Sequence, residues 1–362
     1  MLRLLPKLPA FYSFRRTGWP RKLPMNLTLS VSYSCNSRCK TCNIYKKKSR
    51  ELTLNEWENI FKSIGKNPFW VTMSGGEPFL RPDIAAIATS LYDICGPSVI
   101  NIPTNGLLTE RIAGNVQHIA HHCRKAQVIV NISIDEIGEK HDIIRGIPGS
   151  YAKAVETLTA LKSLNLSNLT IGIHTVISRF NVKRIPEIYR HLMMLKPDSY
   201  ITEIAEEREE LDTIGSNISP EYGDYSEAVD FLSREIKVAD FNRAGKITRA
   251  FRMKYYDIAK KILREKRQVI PCYSGFASAQ IAPDGDVWMC CIKAKSIGNL
   301  RDVNYDFSRV WFSAEADDCR NRIKNCECFC PLANAAYTNM LHNPKIVASV
   351  GLNLIRTRLH GR

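Results

Sequence analysis

The sequence predicts an α/β protein: a partial (βα)6 TIM-like barrel followed by a small cysteine-rich α+β module. Three observations carry that expectation. Apolar stretches of strand length alternate with stretches of helical period from residue 26 to residue 205, the signature of βα units around a parallel sheet. Beyond about residue 270 the composition shifts to cysteine, glycine and short alternating runs. The chain has 362 residues, 44% of them hydrophobic, enough to bury one large core and a smaller one. It is not disordered, collagen-like or fibrous.

The elements follow in order. Residues 26–31 alternate apolar and polar side chains and read as a strand that ends near Cys35. Thr53 and Glu56 form a capping box, the threonine accepting from the third amide while the glutamate reaches back. Leu54, Trp57, Ile60, Phe61 and Ile64 then give a helical stripe. A strand over 70–73 runs into Ser74, Gly75, Gly76, Glu77 and Pro78, and a helix is expected over 82–94. The strand 98–102 ends in Thr104, Asn105 and Gly106, and after another helix the strand 128–133 ends at Asp135. Helices over 151–164 and 182–195 and strands over 170–176 and 200–205 complete the series.

From 206 to 269 the chain is charged, and Ala228, Phe231, Leu232 and Ile236, then Tyr255, Ile258 and Ile262, recur at helical spacing. A helical bridge beginning at Glu206 is expected there. Residues 280–282 and 287–289 flank Pro283, Asp284, Gly285 and Asp286 as a hairpin. The expected organisation is a basic amphipathic tail over 1–25, the barrel over 26–205, the bridge over 206–269, the cysteine-rich module over 270–335, and a second basic amphipathic tail over 336–362.

Charge is uneven. Lys and Arg number 51 against 36 Asp and Glu, a net +15. Arg3, Lys7, Arg15, Arg16, Arg21 and Lys22 lie in the first tail, and Lys345, Arg356, Arg358 and Arg362 in the last 22 residues, with no acid in either. Most of the excess is therefore terminal. The body carries no basic and aromatic stripe of the kind nucleic acid demands. The tails either lie on an anionic membrane surface or pack on the barrel, since Ile346, Val347, Val350, Leu354, Ile355 and Leu359 make one apolar stripe. No run reaches the ~18 apolar residues of a spanning helix. Pro6, Pro9, Pro20, Arg15 and Arg16 break the signal-peptide pattern. A cytoplasmic protein is expected, with peripheral contact at the inner membrane surface left open by the tails.

Cysteine is the unusual residue: there are 12, and intracellular disulfides are rare, so metal or redox chemistry is the expectation. Cys95 and Cys123 stand alone and read as small core residues. Cys35-x3-Cys39-x2-Cys42 puts three thiols on one short loop. Each can ligate one iron of a cubane and leave the fourth iron open. A ferredoxin cluster or a zinc knuckle would bring a fourth Cys or His nearby, and none follows until Cys95.

These residues resemble the radical S-adenosylmethionine (radical SAM) superfamily. Gly75-Gly76-Glu77-Pro78 matches its GGEP segment. Thr104-Asn105-Gly106 and Ser133-Ile134-Asp135 match its polar strand ends, and His141-x3-Arg145-Gly146 followed by Gly149 a further common feature. The match runs in order over about 26–205. An aromatic residue often stands beside the last cysteine of the family's motif, whereas Asn43, Ile44 and Tyr45 follow Cys42 here. The resemblance implies a 4Fe–4S cluster on Cys35, Cys39 and Cys42 and S-adenosylmethionine (SAM) on its open iron. Reductive cleavage of SAM would give a 5′-deoxyadenosyl radical that abstracts hydrogen from a substrate. It also implies that Gly75 and Gly76 let the backbone approach the SAM amino group, and that Glu77 orients that loop or contacts the amino group. Asn105, Ser133 and Asp135 then contact ribose or the SAM polar groups, or serve as turns and caps. Arg145 would pair with a carboxylate of SAM or substrate, or make a surface ion pair. His174 is expected as a core residue, and Glu203, Glu206 and Glu207 as the start of a solvated helix. No catalytic side chain is identified.

Cys272-x12-Gly285-x4-Cys290 resembles the opening of the SPASM extension of that superfamily, which carries auxiliary clusters. A full extension has a longer cysteine series than Cys326-x-Cys328-x-Cys330. One auxiliary 4Fe–4S cluster is therefore expected, on Cys272, Cys290, Cys328 and Cys330, with Cys291 and Cys326 as substitutes and structural zinc as the alternative. The family resemblance suggests peptide or protein maturation. Only about 25 residues precede the barrel, too few for an independent leader-binding domain, so a sugar or lipid-linked small substrate stays open. An electron donor such as flavodoxin or ferredoxin is implied. The rival reading is a non-catalytic iron–sulfur or zinc protein in electron transfer or binding, disfavoured by the missing fourth ligand and by the GGEP segment.

Overall fold

The computed structural model describes residues 5–238, 243–325 and 328–359. Six parallel strands, β1 Asn26–Ser32, β2 Trp70–Gly75, β3 Val99–Thr104, β4 Gln127–Ser133, β5 Leu169–Ile177 and β6 Ser199–Ile204, lie side by side in chain order. The register runs from Asn26 opposite Trp70 to Gly172 opposite Ser199. The sheet does not close: β6 is one edge, so this is the expected partial barrel. Parallel strands are covered on both faces and read as near-continuous apolar runs. Leu27, Leu29, Val71, Met73, Ile100, Ile102, Val128, Val130 and Ile173 are all fully buried.

The helices are α1 Leu8–Thr17, α2 Leu54–Ile64, α3 Ile84–Cys95, α4 Thr109–His122, α5 Glu139–Arg145, α6 Ser150–Ser163, α7 Ile185–Met194, α8 Tyr222–Val238, α9 Arg243–Glu265, α10 Phe307–Trp311, α11 Ala314–Lys324, α12 Ala333–Leu341 and α13 Pro344–Leu359. The capping box forms: Thr53 Oγ1 accepts from the Glu56 amide and Glu56 Oε2 from the Thr53 amide, at 3.3 and 2.8 Å. Trp57, Ile60, Phe61 and Ile64 face inward as the stripe requires.

Two departures from the sequence expectation matter. The bridge does not begin as a helix, because residues 205–221 form a loop and α8 starts only at Tyr222. Glu203, Glu206 and Glu207 therefore do not open a solvated helix. The cysteine-rich module, moreover, is continuous with the barrel sheet. Strands β7 Ser278–Ile281, β8 Asp286–Trp288 and β9 Ser296–Asn299 extend it, with β7 parallel to β1 and Asn26 opposite Ser278. A second tie crosses from α2, where Arg301 Nε sits 2.7 Å from Glu56 Oε1 and Tyr305 donates to the same oxygen at 2.9 Å. Arg301 holds the Glu56 carboxyl down at about 2.

The described parts of both tails pack on the protein. Phe11 and Phe14 are buried with Met25, Tyr273, Phe276 and Ala277. The Arg15 guanidinium donates to the Cys272 carbonyl at 2.7 Å, and Arg21 pairs with Asp317. Ile346 and Val350 are buried, while the side chains of Leu354, Ile355, Arg356, Arg358 and Leu359 lie outside the described residues. Among the described residues no helix is long and apolar enough to cross a membrane.

Candidate functional site

The loop after β1 carries Cys35, Cys39 and Cys42, and its shape is set from three sides. From β2, the Gly76 amide donates to the Ser32 carbonyl and the Glu77 amide to the Ser34 carbonyl, both at 2.8 Å. A Cβ at Gly76 would sit 2.2 Å from the Ser34 oxygen, and one at Gly75, where φ is +130°, 2.1 Å from the Ser32 oxygen. Only glycine lets the two strand ends lie this close. From α5, the Arg145 and Ile144 carbonyls accept from the Arg38 and Lys40 amides at 2.9 and 2.8 Å. From β3, Asn105 Nδ2 donates to Asn36 Oδ1 and Ser37 Oγ at 2.7 and 3.0 Å.

Glu77 organises this junction. It is 1% exposed and accepts from the Phe79 amide, the Thr104 hydroxyl and the Asn105 amide at 3.2, 2.9 and 2.7 Å. Burial raises its carboxyl to about 7 despite those donors. Both carboxylate oxygens are thus engaged with the protein. Asn105 is similarly committed, its Oδ1 taking the Leu107 amide at 3.0 Å.

Arg145 makes no surface ion pair. Its Nε lies 2.8 Å from Asp135 Oδ2, with the two side chains only 12% and 1% exposed, and its Nη1 lies 3.7 Å from Cys39 Sγ. Burial would lower its pKa, but Asp135 and Cys39 raise it above the ordinary arginine value. Asp135 Oδ1 accepts from the Val176 amide at 2.9 Å, and the Asp135 amide donates to His141 Nδ1 at 3.1 Å. That bond fixes the His141 proton on Nε2, a buried atom with no partner among the described residues. Burial pushes the His141 imidazole down to about 4.

The donor set fits an iron–sulfur cluster. Each sulfur faces a hydrogen-bond donor: the Ser37 amide 3.4 Å from Cys35, the Ile44 amide 3.5 Å from Cys42, and the Arg145 guanidinium at Cys39. As free thiols they stay protonated, because burial pushes Cys35 to about 11 and Cys42 to about 12. A buried thiolate therefore needs a metal centre to supply positive charge.

The barrel interior beside this loop is polar. Ser133 pairs with His174 across β4 and β5. His174 Nε2 is 3.7 Å from Glu203 Oε2, and Arg208 bonds Glu203 Oε1 at 2.8 Å. Burial lowers the His174 pKa. Glu206, raised by burial to about 7, approaches Cys330 Sγ at 3.7 Å. The sequence alone does not single out His174, Glu203 and Arg208 as a group. Their signal is faint: one strand position in phase with the lumen and an Arg within a run of acids.

The second cysteine group divides. Cys272 and Cys319 are within electrostatic reach of Cys290, whose thiol burial raises to about 11. Cys291 instead faces Glu210, Arg208 and Glu203 as well as Cys290. Cys330 lies near Glu206, Cys290 and Cys291, and Gln268 Nε2 is 4.0 Å from Cys328 Sγ. Cys319, absent from the expected ligand set, shares the neighbourhood of Cys290. Cys326 lies outside the described residues. The first cysteine loop packs on the hairpin of the cysteine-rich module: Tyr33 and Ile44 pack with Ala282 and Trp288, and Cys35, Cys42 and Ala294 adjoin them.

Comparison with known proteins agrees with this geometry. Residues 29–192 match the radical SAM superfamily, and residues 272–331 match SPASM, an iron-sulfur cluster-binding domain. The AdoMet-dependent heme synthase of Methanosarcina barkeri is 31% identical over 48% of this chain and 47% of its own length. Mycofactocin maturase MftC of Mycobacterium tuberculosis is 30% identical over 45% of this chain and 40% of its own. The chain spans about half the length of the curated relatives it matches. In fold it is similar to Streptococcus suis SuiB bound to S-adenosylmethionine, with TM-score 0.62 at 14% identity over 89% of this chain and 75% of that one. It is also similar to anSMEcpe with bound AdoMet and a Cp18Cys peptide, with TM-score 0.58 at 15% identity over 94% of this chain and 100% of that one.

Proposed function

Because this chain carries a radical SAM domain followed by a SPASM iron–sulfur cluster-binding domain, we propose that it is a radical SAM enzyme that abstracts hydrogen from a peptide. One observation carries the reading: three half-buried thiols, each facing a hydrogen-bond donor, sit on a loop locked to the GGEP strand end and to Arg145. When bound at Cys35, Cys39 and Cys42, a 4Fe–4S cluster supplies the electron that splits SAM into methionine and a 5′-deoxyadenosyl radical.

The chain's own residues do the rest. Gly75 and Gly76 bring the β2 end against the loop, and their backbone is the assigned contact for the SAM amino group. Glu77 and Asn105 hold that junction rigid through their hydrogen bonds to the β3 end and to the cysteine loop. Ser133 is assigned to the polar groups of SAM, whereas Asp135, its two oxygens taken by Val176 and Arg145, keeps Arg145 in place. Arg145 sets a positive charge beside Cys39, which favours the thiolate. Cys272, Cys290, Cys328 and Cys330 are assigned to one auxiliary cluster, with Cys319 as a further candidate.

A peptide substrate is supported by the maturase relatives and by the structural likeness to SuiB bound to precursor peptide SuiA and to anSMEcpe with a peptide. The test is anaerobic reconstitution with iron and sulfide analysis and dithionite-driven SAM cleavage. Wild type should hold about eight irons and release 5′-deoxyadenosine. The triple variant Cys35→Ala, Cys39→Ala, Cys42→Ala should hold about four and release none. Zinc in place of iron, or clusters without cleavage, would move the reading to a binding or electron-transfer protein.

A further inference from the structure

The sequence average hides a cationic run. Arg38, Lys40, Lys46, Lys47, Lys48 and Arg50 lie within and just after the cysteine loop, with no acid among residues 34–50. All but Lys47 are exposed, and none of the six makes an ion pair among the described residues. Lys47 is held by the Glu209 carbonyl at 3.0 Å and lies within reach of Glu210, while the five exposed cations give the loop one sign of charge, a field that draws an acidic partner.

The run is also shaped. Arg38 lies over the Tyr45 ring at 4.4 Å, and Lys40 and Arg179 lie over Phe180 at 5.5 and 5.0 Å. The aromatic faces thus stiffen the cations. Two exposed isoleucines flank the loop. Ile143, 59% exposed, is on α5 beside the carbonyl that accepts from Lys40. Ile214, 64% exposed, is on the 205–221 loop, whose Leu211 and Asp212 carbonyls accept from Asn43. The acids exposed on those flanks are Glu139, Glu209, Asp212 and Glu221, one fewer than the exposed cations of the run. A cationic surface with isolated apolar anchors fits a protein partner with an acidic rim and an apolar patch.

We infer that this surface, centred on Lys46, Lys48, Ile143 and Ile214, is the docking face for an acidic one-electron carrier protein of the flavodoxin or ferredoxin kind. The inference rests on the proposed function, because a cluster on this loop must be reduced from outside. In the step served, the reduced carrier gives up one electron and the cluster gains it, and no bond forms or breaks. The surface includes and flanks the loop that would hold the cluster, so a carrier docked there lies beside it.

The test uses the reconstituted full chain and a flavodoxin. Binding is read by fluorescence titration of the flavodoxin, separately from SAM cleavage driven either by reduced flavodoxin or by dithionite. Lys46→Glu/Lys48→Glu should weaken flavodoxin binding about tenfold or more at low salt, within the range of steering effects. It should slow flavodoxin-driven cleavage similarly and leave dithionite-driven cleavage unchanged. Wild-type binding should fall as salt rises, and the variant's should depend on salt less. Ile143→Ala/Ile214→Ala should weaken binding with the salt dependence kept. Unchanged binding in the charge variant overturns the inference, as does equal loss of flavodoxin-driven and dithionite-driven cleavage. Co-sedimentation with phosphatidylglycerol vesicles that the charge variant abolishes, with flavodoxin binding intact, would overturn it in favour of a membrane surface. If wild type cleaves no SAM even with dithionite, the proposed function fails, while the binding titration still reports on the surface.

Discussion

Replacing Arg145 by glutamine strips the charge partner from Asp135, which is 1% exposed. Its Oδ2 then faces no cation, while Oδ1 keeps the Val176 amide at 2.9 Å. Breaking a buried pair by removing one partner costs about 3–5 kcal/mol. The retained amide places this case at the low end, about 3 kcal/mol. Asp135→Asn leaves Arg145 without its anion but keeps an oxygen for Val176, and its cost should be similar. The double variant Arg145→Gln/Asp135→Asn has no orphaned charge. It should fall short of the sum of the singles by roughly 2 kcal/mol, inside the range found for contacting pairs. Urea unfolding of the metal-free protein measures all four corners of the cycle, with the slope checked for constancy. Additivity within about 0.5 kcal/mol would mean that the two groups do not interact, and Arg145 would then not be the ion that neutralises Asp135. A second readout separates stability from chemistry. Losing a positive charge beside Cys39 should make the reduction potential of the reconstituted loop cluster more negative, and an unchanged potential would remove Arg145 from the cluster's environment.

Further expectations concern neighbouring features. Gly76→Ala drives a Cβ to 2.2 Å from the Ser34 oxygen, so the loop should shift, lose the two amide bonds at about 1 kcal/mol each, and take up about half the wild-type iron. Cys290→Ser should lose about four irons, whereas Cys291→Ser should keep wild-type iron content, because Glu210 and Arg208 rather than another cysteine are its strongest electrostatic neighbours, although Cys290 and Cys330 also lie within reach; equal losses would place Cys291 among the ligands. His342 is buried against Tyr273, its ring held at about 4 by burial. The unfolded chain therefore binds a proton that the folded one refuses, and stability falls as pH drops from about 6.5 to 4, by up to roughly 3 kcal/mol. His342→Phe should flatten that limb of the pH–stability curve relative to wild type.

Much of the barrel is legible in the sequence because it rests on local pattern. The helical stripe behind Thr53, the alternating strands and the three-cysteine loop each announce themselves within a dozen residues. What escapes is non-local. Nothing near Asn26 says that it lies opposite Ser278, and the hairpin therefore reads as a separate module. Glu206 reads as part of a helix because runs of acids favour solvated helices, but burial beside Cys330 and Arg208 outweighs that preference. Arg145 and Asp135 both stand out in the sequence, yet their pairing needs the turn after β4 to fold α5 back onto the cysteine loop. The cationic run is visible residue by residue and disappears when charge is averaged over the body.

The pairing of β1 with β7 has a consequence for biosynthesis. The outer edge of β1 receives its partner only after some 250 further residues have been made, as the Asn26–Ser278 register requires. Until then the growing chain presents an unpaired, apolar strand edge, a template for self-association. Protein cut short before residue 278 keeps that edge permanently. Isolated barrel fragments should precipitate where the full chain stays dispersed, and slow synthesis or nutrient-starved ribosomes should make this chain a frequent client of chaperones.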